Sequence, residues 1–382
     1  MLGTEFSLTA SVFMYLFTML GSVVCIYLAS KAKTQKNCLI YYSISLMLLL
    51  FLLGHRGFSP DYENYVSRFY LVQNNSFTQY LGFMEPVYLG LLFIITRFFP
   101  NNPQMMFFIY AFISLLLVYL ESYRVRNEIN PVIFQLVFVT VLFPLYFSFV
   151  RQGLAMSILI FGNRYLEDKK YFKYFLLTII STLIHYSAIV MIGVLVMRIV
   201  VDKLELSLRK ILMILLPSLL GFFLICYFIT PILFGKFPWF ERYAYMFDIG
   251  KLYISSIRSI AQFYLLIIVL IYYRKKLNFD SKLSFYLTQF VWLLSMVVVS
   301  FVFPIGRIGY YFYFYGLYLY AFLGKEIQNN NISYKIGNYC ISEYAVYLTL
   351  LVASCSLWVL TKFILNPFWG PYLFPYYFNW LV

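Results

Sequence analysis

The sequence predicts an all-α polytopic membrane protein, and three observations carry that prediction. The 382 residues are 63% hydrophobic and 22% aromatic, only 12% are charged, and mean hydropathy is +0.80. The apolar residues also fall in long runs separated by short polar loops. Soluble domains do not reach such values. Helices are the expected spanning element, because inside a bilayer each segment must satisfy its own backbone polar groups.

The first run, 7–30, is too long for a signal-peptide core and lacks a basic leader, so it is expected as a retained span. Further runs follow at 38–53, 86–99, 104–122, 131–150, 151–166, 171–200, 211–230, 257–273, 283–303, 308–323 and 343–362. Together they predict about 11–12 transmembrane helices in one integral domain spanning 1–382. Segments 54–86 and 231–256 are expected as external loops, the first with a short interfacial helix. The tail 363–382 is too interrupted by proline for a helix, and its aromatics suit an external interfacial anchor.

Two runs are ambiguous: 86–99 is short for a span, and 171–200 suits either one span or a tight helical pair. Basic loops choose between these readings. If 86–99 lies in the interface and 171–200 turns near His185, loops 31–37, 121–130, 164–173, 198–210, 274–282 and 324–342 share one side. That side then holds most of the 29 Lys and Arg, whereas the alternative divides them almost evenly. Positive-inside bias selects the first arrangement. It sends segment 54–86, Arg151, His185, segment 231–256 and Arg307 to the outer face.

The net charge of +14 does not indicate nucleic acid, since the basic residues are scattered through the loops between spans. Cys25, Cys38, Cys226, Cys340 and Cys355 have no CxxC spacing, so neither a disulfide framework nor a zinc site is expected. Neither an HExxH pattern nor a Walker or Rossmann motif occurs, and no cofactor or metal is expected.

Polar residues at the borders of apolar runs are the candidate site, because a charge at bilayer depth costs about 3 kcal/mol on insertion scales and is usually retained for a task. In GHRGFSPDYENY (54–65), Gly57 and Pro60 favour a turn that holds Arg56 and Asp61 near the headgroups; the plainer reading is a solvated loop with Arg56 snorkelling. Glu85 opens the short amphipathic run, where an acid also complements a helix N-terminus. Arg151-Gln152 has almost no polar relief on either side, and a guanidinium there suits a diphosphate through two parallel hydrogen bonds. His185, beside Ser181, Thr182 and Ser187, suits a general base, though a lone histidine is more often structural. Arg307 stands where Pro304, Gly306 and Gly309 interrupt an apolar stretch, as broken helices do when they line a cavity. The tyrosines from Tyr310 onward suit sugar stacking or an interfacial belt.

In order, the chain reads R-x4-D-x3-Y (Arg56, Asp61, Tyr65), E-P (Glu85, Pro86), R-Q-x2-A (Arg151, Gln152, Ala155), H-x-S (His185, Ser187) and R-x2-Y (Arg307, Tyr310). Over residues 54–320 this series resembles the EpsG family, akin to the Wzy-type polymerases of O-antigen and capsule. The resemblance implies a GT-C-like membrane glycosyltransferase of the bacterial inner membrane with an outer-face cavity. It implies transfer of a growing glycan from undecaprenyl diphosphate to the non-reducing end of another lipid-linked repeat unit, without nucleotide or metal. Its partners would be the lipid-linked donor and acceptor, the bilayer and a chain-length regulator protein.

Such chemistry needs positive charge on the leaving diphosphate and a base for the attacking hydroxyl. Arg151 and Arg307 are the expected cations, and Asp61 or His185 the base, with Asp61 preferred because water-borne sugar reaches its loop. Arg56, Glu85, Gln152, Tyr65 and Tyr310 are expected to bind substrate. The competing readings are a flippase of lipid-linked oligosaccharide, a membrane acyltransferase acting on surface polysaccharide, and a scaffold. The first lacks the repeated halves common in transporters, and the second lacks a suitably placed paired His and Asp. A scaffold has no reason to keep arginines at membrane depth.

Overall fold

The computed structural model describes residues 4–57, 59–81, 83–204, 309–330, 332–336, 339–364 and 376–378. The expected spans at 211–230, 257–273 and 283–303, the loop 231–256 and Arg307 lie outside the described residues.

Two long apolar helices open the bundle. In α1 (Leu8–Lys31) the Ser7 hydroxyl accepts from Ala10 N at 3.2 Å, and in α2 (Gln35–Gly54) Thr34 caps Asn37 N in the same way. These hydroxyls satisfy backbone donors that a helix start leaves orphaned. Segment 54–86 carries α3 (Tyr62–Asn74), which buries Tyr62, Tyr65, Phe69 and Val72 at three- and four-residue spacing. That periodicity makes it an amphipathic helix lying on the bundle. Next come α4 (Pro86–Phe98) and α5 (Pro103–Val125), each with proline in its first turn, where the missing N–H costs nothing.

Helix α6 (Pro131–Val137) passes through a π turn at Phe138–Leu142 into a 3-10 turn at Phe143–Phe147, ending earlier than the apolar run that predicted it. Pro144 lies in that last turn, and a proline both removes a ladder donor and crowds the preceding turn. Ser148 and Phe149 separate α6 from α7 (Val150–Glu167).

The run 171–200 is the expected pair: α8 (Tyr171–Ile184), a break at His185, a 3-10 turn at Tyr186–Val190, and α9 (Met191–Leu204). The two feet meet. Tyr171 Oη donates to Asp202, Lys169 Nζ lies 4.0 Å from Asp202 Oδ1, and Arg198 Nε is 3.1 Å from Asp202 Oδ2. At 1.5 Å per residue α8 rises only about 21 Å, against roughly 30 Å of hydrocarbon.

After the undescribed stretch come α10 (Tyr313–Asn330) and α11 (Glu343–Trp358), the latter extended by a π turn at Val359–Ile364. Among the described residues four helices are long and apolar enough to cross a membrane: Leu8–Lys31, Gln35–Gly54, Pro103–Val125 and Glu343–Thr361. Short strands add two antiparallel pairings: β1 (Thr4–Glu5) with β4 (Tyr377–Phe378), and β2 (Ser333–Ile336) with β3 (Tyr339–Ser342). Of the tail, residues 376–378 are described. Tyr376, expected at the interface, is buried; its N–H donates to Ser11 Oγ at 2.8 Å and its hydroxyl to the Leu52 carbonyl at 2.6 Å.

The bundle thus has two ends. At the head, Gln104 Nε2 in the first turn of α5 donates to the Gly54 and Arg56 carbonyls at 2.5 and 3.1 Å, closing the end of α2. The α6–α7 break and the His185 turn belong to the same end. The foot gathers the α1–α2 and α5–α6 turns, the base of the α8–α9 hairpin and the end of α10. Asn130 ties part of it together, capping Val132 N and Ile133 N through Oδ1 and donating through Nδ2 to Gln328 and Tyr344. Helix α4 starts near the α6–α7 break and ends with four residues between it and Pro103, both at the head, so it does not cross the bundle.

Inside the apolar middle, Tyr119 of α5 joins three other helices. Its hydroxyl lies 2.7 Å from Ser45 Oγ, accepts from Gln135 Nε2 at 2.8 Å and lies 3.3 Å from Ser22 Oγ. Small serines let α1 and α2 approach, and the shared hydroxyl joins them directly to α5 and α6. Tyr119→Phe therefore lowers stability by about 1–2 kcal/mol, read as a fall in melting temperature in detergent. An unchanged melting temperature shows that the knot adds nothing.

Candidate functional site

The site forms around the interruption between α6 and α7. Arg151 falls in the first turn of α7, a poor place for a cation because the helix dipole is positive there. Its position is therefore set by partners outside the helix. Arg151 Nη1 donates to Glu85 Oε2 at 2.5 Å, and the guanidinium lies over the rings of Tyr88 and Tyr65, at 5.1 and 5.8 Å from their centroids. The arginine side chain is 19% exposed and the glutamate 7%, so this is a largely desolvated ion pair with a residual opening on the arginine side.

Glu85 holds a second group. Its Oε1 lies 3.3 Å from His185 Nδ1, at the tip of the α8–α9 hairpin. Burial opposes the charged carboxylate, but the His185 hydrogen bond and the Arg151 charge outweigh it and hold the Glu85 carboxyl down to about 2. An ionised carboxylate only accepts, so in the neutral imidazole the proton sits on Nδ1 and Nε2 carries the lone pair. Glu85 occupies the N-cap position of α4 yet makes no side-chain cap bond; its oxygens serve the ion pair and the histidine.

The segment 56–65 grips the same interruption from the other side. Arg56 Nη1 donates to the Tyr146 carbonyl at 3.0 Å, Ser148 Oγ donates to Asp61 Oδ2 at 3.1 Å, and Arg151 N reaches the Tyr65 hydroxyl at 3.5 Å. Arg56 is 2% exposed, with its guanidinium 4.7 Å from the Phe107 ring centroid. It neither faces headgroups nor snorkels, because the Tyr146 carbonyl at the helix interruption draws it inward. Gly153 belongs to the same packing, as a Cβ there would meet Tyr146 Cδ1 at 2.8 Å.

The remaining candidates distribute around this core. Gln152 is buried within α7. Tyr310 packs against Phe149 with ring centroids 5.1 Å apart, and Ser187 Oγ donates to the Tyr311 hydroxyl at 3.3 Å. The 3-10 turn that leads into α10, Tyr310–Phe312, therefore reaches both the α6–α7 junction and the His185 turn. The sequence did not single out Tyr88, Tyr146 or Ser148, which look like ordinary members of apolar runs. The α6–α7 junction carried the available signal: Pro144 followed by Ser148 shortly before an arginine.

The site is recessed. His185 stands at most about 21 Å above the foot of its hairpin, and the Tyr110 hydroxyl, well inside α5, donates to the Tyr88 carbonyl beside Glu85 at 3.2 Å. Glu85→Ala leaves a desolvated arginine without its carboxylate and costs about 3–5 kcal/mol, whereas Glu85→Ala/Arg151→Ala lies closer to wild type. Thermal unfolding of these two variants and of Arg151→Ala checks this, and additive losses show that the pair is not coupled.

No curated protein and no solved structure matches this chain. A family model does match, described as the EpsG family, and its extent from residue 39 to residue 374 takes in the interruption, both elements that clamp it and the hairpin. On that match the chain belongs to the EpsG family.

Proposed function

We propose that this protein is a glycan polymerase of the bacterial inner membrane, moving a growing chain from undecaprenyl diphosphate to the non-reducing end of another lipid-linked repeat unit. Membership of the EpsG family, a polysaccharide-polymerase type of membrane protein, supports the general class. The observation that carries the finer reading is Glu85, whose two carboxylate oxygens orient Arg151 and His185 in one recessed pocket. The head end is read as outward because the foot carries the basic turns, among them Lys31, Lys33, Arg126, Lys169, Lys170 and Lys325.

In this reading the acceptor hydroxyl gives its proton to His185 Nε2 while its oxygen bonds to the donor sugar's anomeric carbon. The bond from that carbon to the diphosphate oxygen breaks, and the leaving group departs with the electron pair. Arg151 meets the charge that develops there. Only one of its donors is engaged by Glu85 in the described contacts, and a guanidinium presents five. A pre-oriented cation in a water-poor pocket is worth more than in water and needs no reorganisation. Arg307, three residues before Tyr310, is proposed as the second cation.

The base is assigned to His185 in preference to Asp61. What supports this is the Glu85 hydrogen bond, which orients the imidazole in the same pocket as Arg151, whereas Asp61 bonds Ser148 at the interruption. Asp61 then acts as a positioning residue, and Tyr65 and Gln152 line the same junction.

Arg151→Ala should abolish the ladder of lipid-linked chain lengths while the protein still inserts, and a normal ladder removes Arg151 from the site. His185→Ala should lower the polymerisation rate by about 10²–10⁴, with Asp61→Asn losing less; the reverse order returns the base to Asp61. Deleting the gene should remove long chains and leave single repeat units displayed. Loss of all display supports a flippase instead.

A further inference from the structure

The foot of the bundle holds a cavity of about 820 Å³ far from the site described above. It lies between the α1–α2 turn, the α5–α6 turn, the end of α10 and the start of α11. Four of its lining residues are cations, Lys31, Lys33, Arg126 and Lys325, and neither aspartate nor glutamate lines it among the described residues. Its size is that of a small-molecule pocket.

The charges are placed rather than scattered. Arg126 Nη1 donates to the Tyr123 carbonyl at 2.6 Å with its guanidinium 3.8 Å from that residue's ring centroid, and Lys325 Nζ donates to the Asn127 carbonyl. Lys31 Nζ sits 5.9 Å from the Tyr27 ring centroid. The described ion pairs include none of the four. Elsewhere at the foot cations do have carboxylates: Arg124 has Glu121, Lys170 has Asp168, and Arg198 has Asp202. Four like charges around one cavity repel one another, and an anion entering it relieves all four at once.

We infer that this cavity is a binding site for a phosphate-bearing group, with a membrane phospholipid headgroup as its occupant. Phosphate matches the donors, a guanidinium fork beside point-charge ammoniums. The lipid source follows from the wall: α1 turns Val24, Tyr27 and Leu28 outward, 54%, 50% and 40% exposed, so acyl chains have an apolar surface leading up to the basic turn. Basic pockets between helices at a membrane's cytoplasmic surface take anionic headgroups in this way. The inference is independent of the polymerase reading.

The full-length protein in nanodiscs of phosphatidylcholine, with or without phosphatidylglycerol, tests it through melting temperature and the lipid retained on extraction. Phosphatidylglycerol should raise the melting temperature and remain bound. Lys33→Gln/Arg126→Gln, which alters two side chains that are not buried, should weaken retention by roughly tenfold or more. Lys170→Gln/Lys173→Gln, an equal loss of charge at the same end, should leave retention unchanged. Inorganic diphosphate in phosphatidylcholine discs is the second arm: stabilisation by diphosphate alone, lost in the first variant, keeps the phosphate site and assigns it a soluble ligand. No effect of either anion, or equal retention in both double variants, overturns the inference.

Discussion

The head of this protein depends on one acid. Glu85 is nearly buried, carries its charge into a low-dielectric pocket, and bonds a cation through one oxygen and an imidazole through the other. A buried ion pair is a weak source of stability, because desolvating both partners offsets most of their attraction. What it supplies is geometry. Arg151 stands at the unfavourable end of a helix dipole, and His185 at the tip of a hairpin too short to cross a bilayer. The shared carboxylate brings these two side chains to one point.

The α6–α7 interruption is where this geometry is anchored. The π and 3-10 turns before Ser148 free the Tyr146 carbonyl from the regular ladder, and Arg56 takes it up. Asp61 and Tyr65 secure the next residues, so three positions of one short segment each hold a different point of the junction. Irregular backbone at membrane depth persists only where protein groups or a cavity satisfy it. Arg56, expected to bind substrate, is 2% exposed and bonds the Tyr146 carbonyl, whereas the side chains of Arg151 and His185 keep partial exposure.

Much of the fold was legible because bilayer length and apolar composition are strong constraints. Runs 7–30, 38–53 and 104–122 became α1, α2 and α5 with ends moved by a few residues toward their caps at Ser7, Thr34 and Asn102. The turn at His185 was legible from the distribution of lysine and arginine, a signal that acts on the chain as a whole. Amphipathic α3 was not delimited, because its polar face hides it from a hydropathy reading. At the site, charged residues announced themselves by their cost, but their pairing did not. Glu85 and His185 are 100 positions apart, and the sequence offered Glu85 an equally good local use as a helix-start acid. Tyr88 and Ser148 carry no charge at all, so nothing separated them from neighbours that only fill space.

In the proposed mechanism Arg151 and His185 face the same phosphate-bearing substrate. A photoreactive polyprenyl diphosphate analogue, cross-linked to the protein in membranes and mapped by mass spectrometry, tests it most directly. Adducts are expected at residues 148–152 and 185–187, removed by excess unlabelled lipid diphosphate. Adducts confined to the basic turns at the foot, with none at the interruption or the hairpin tip, would contradict it.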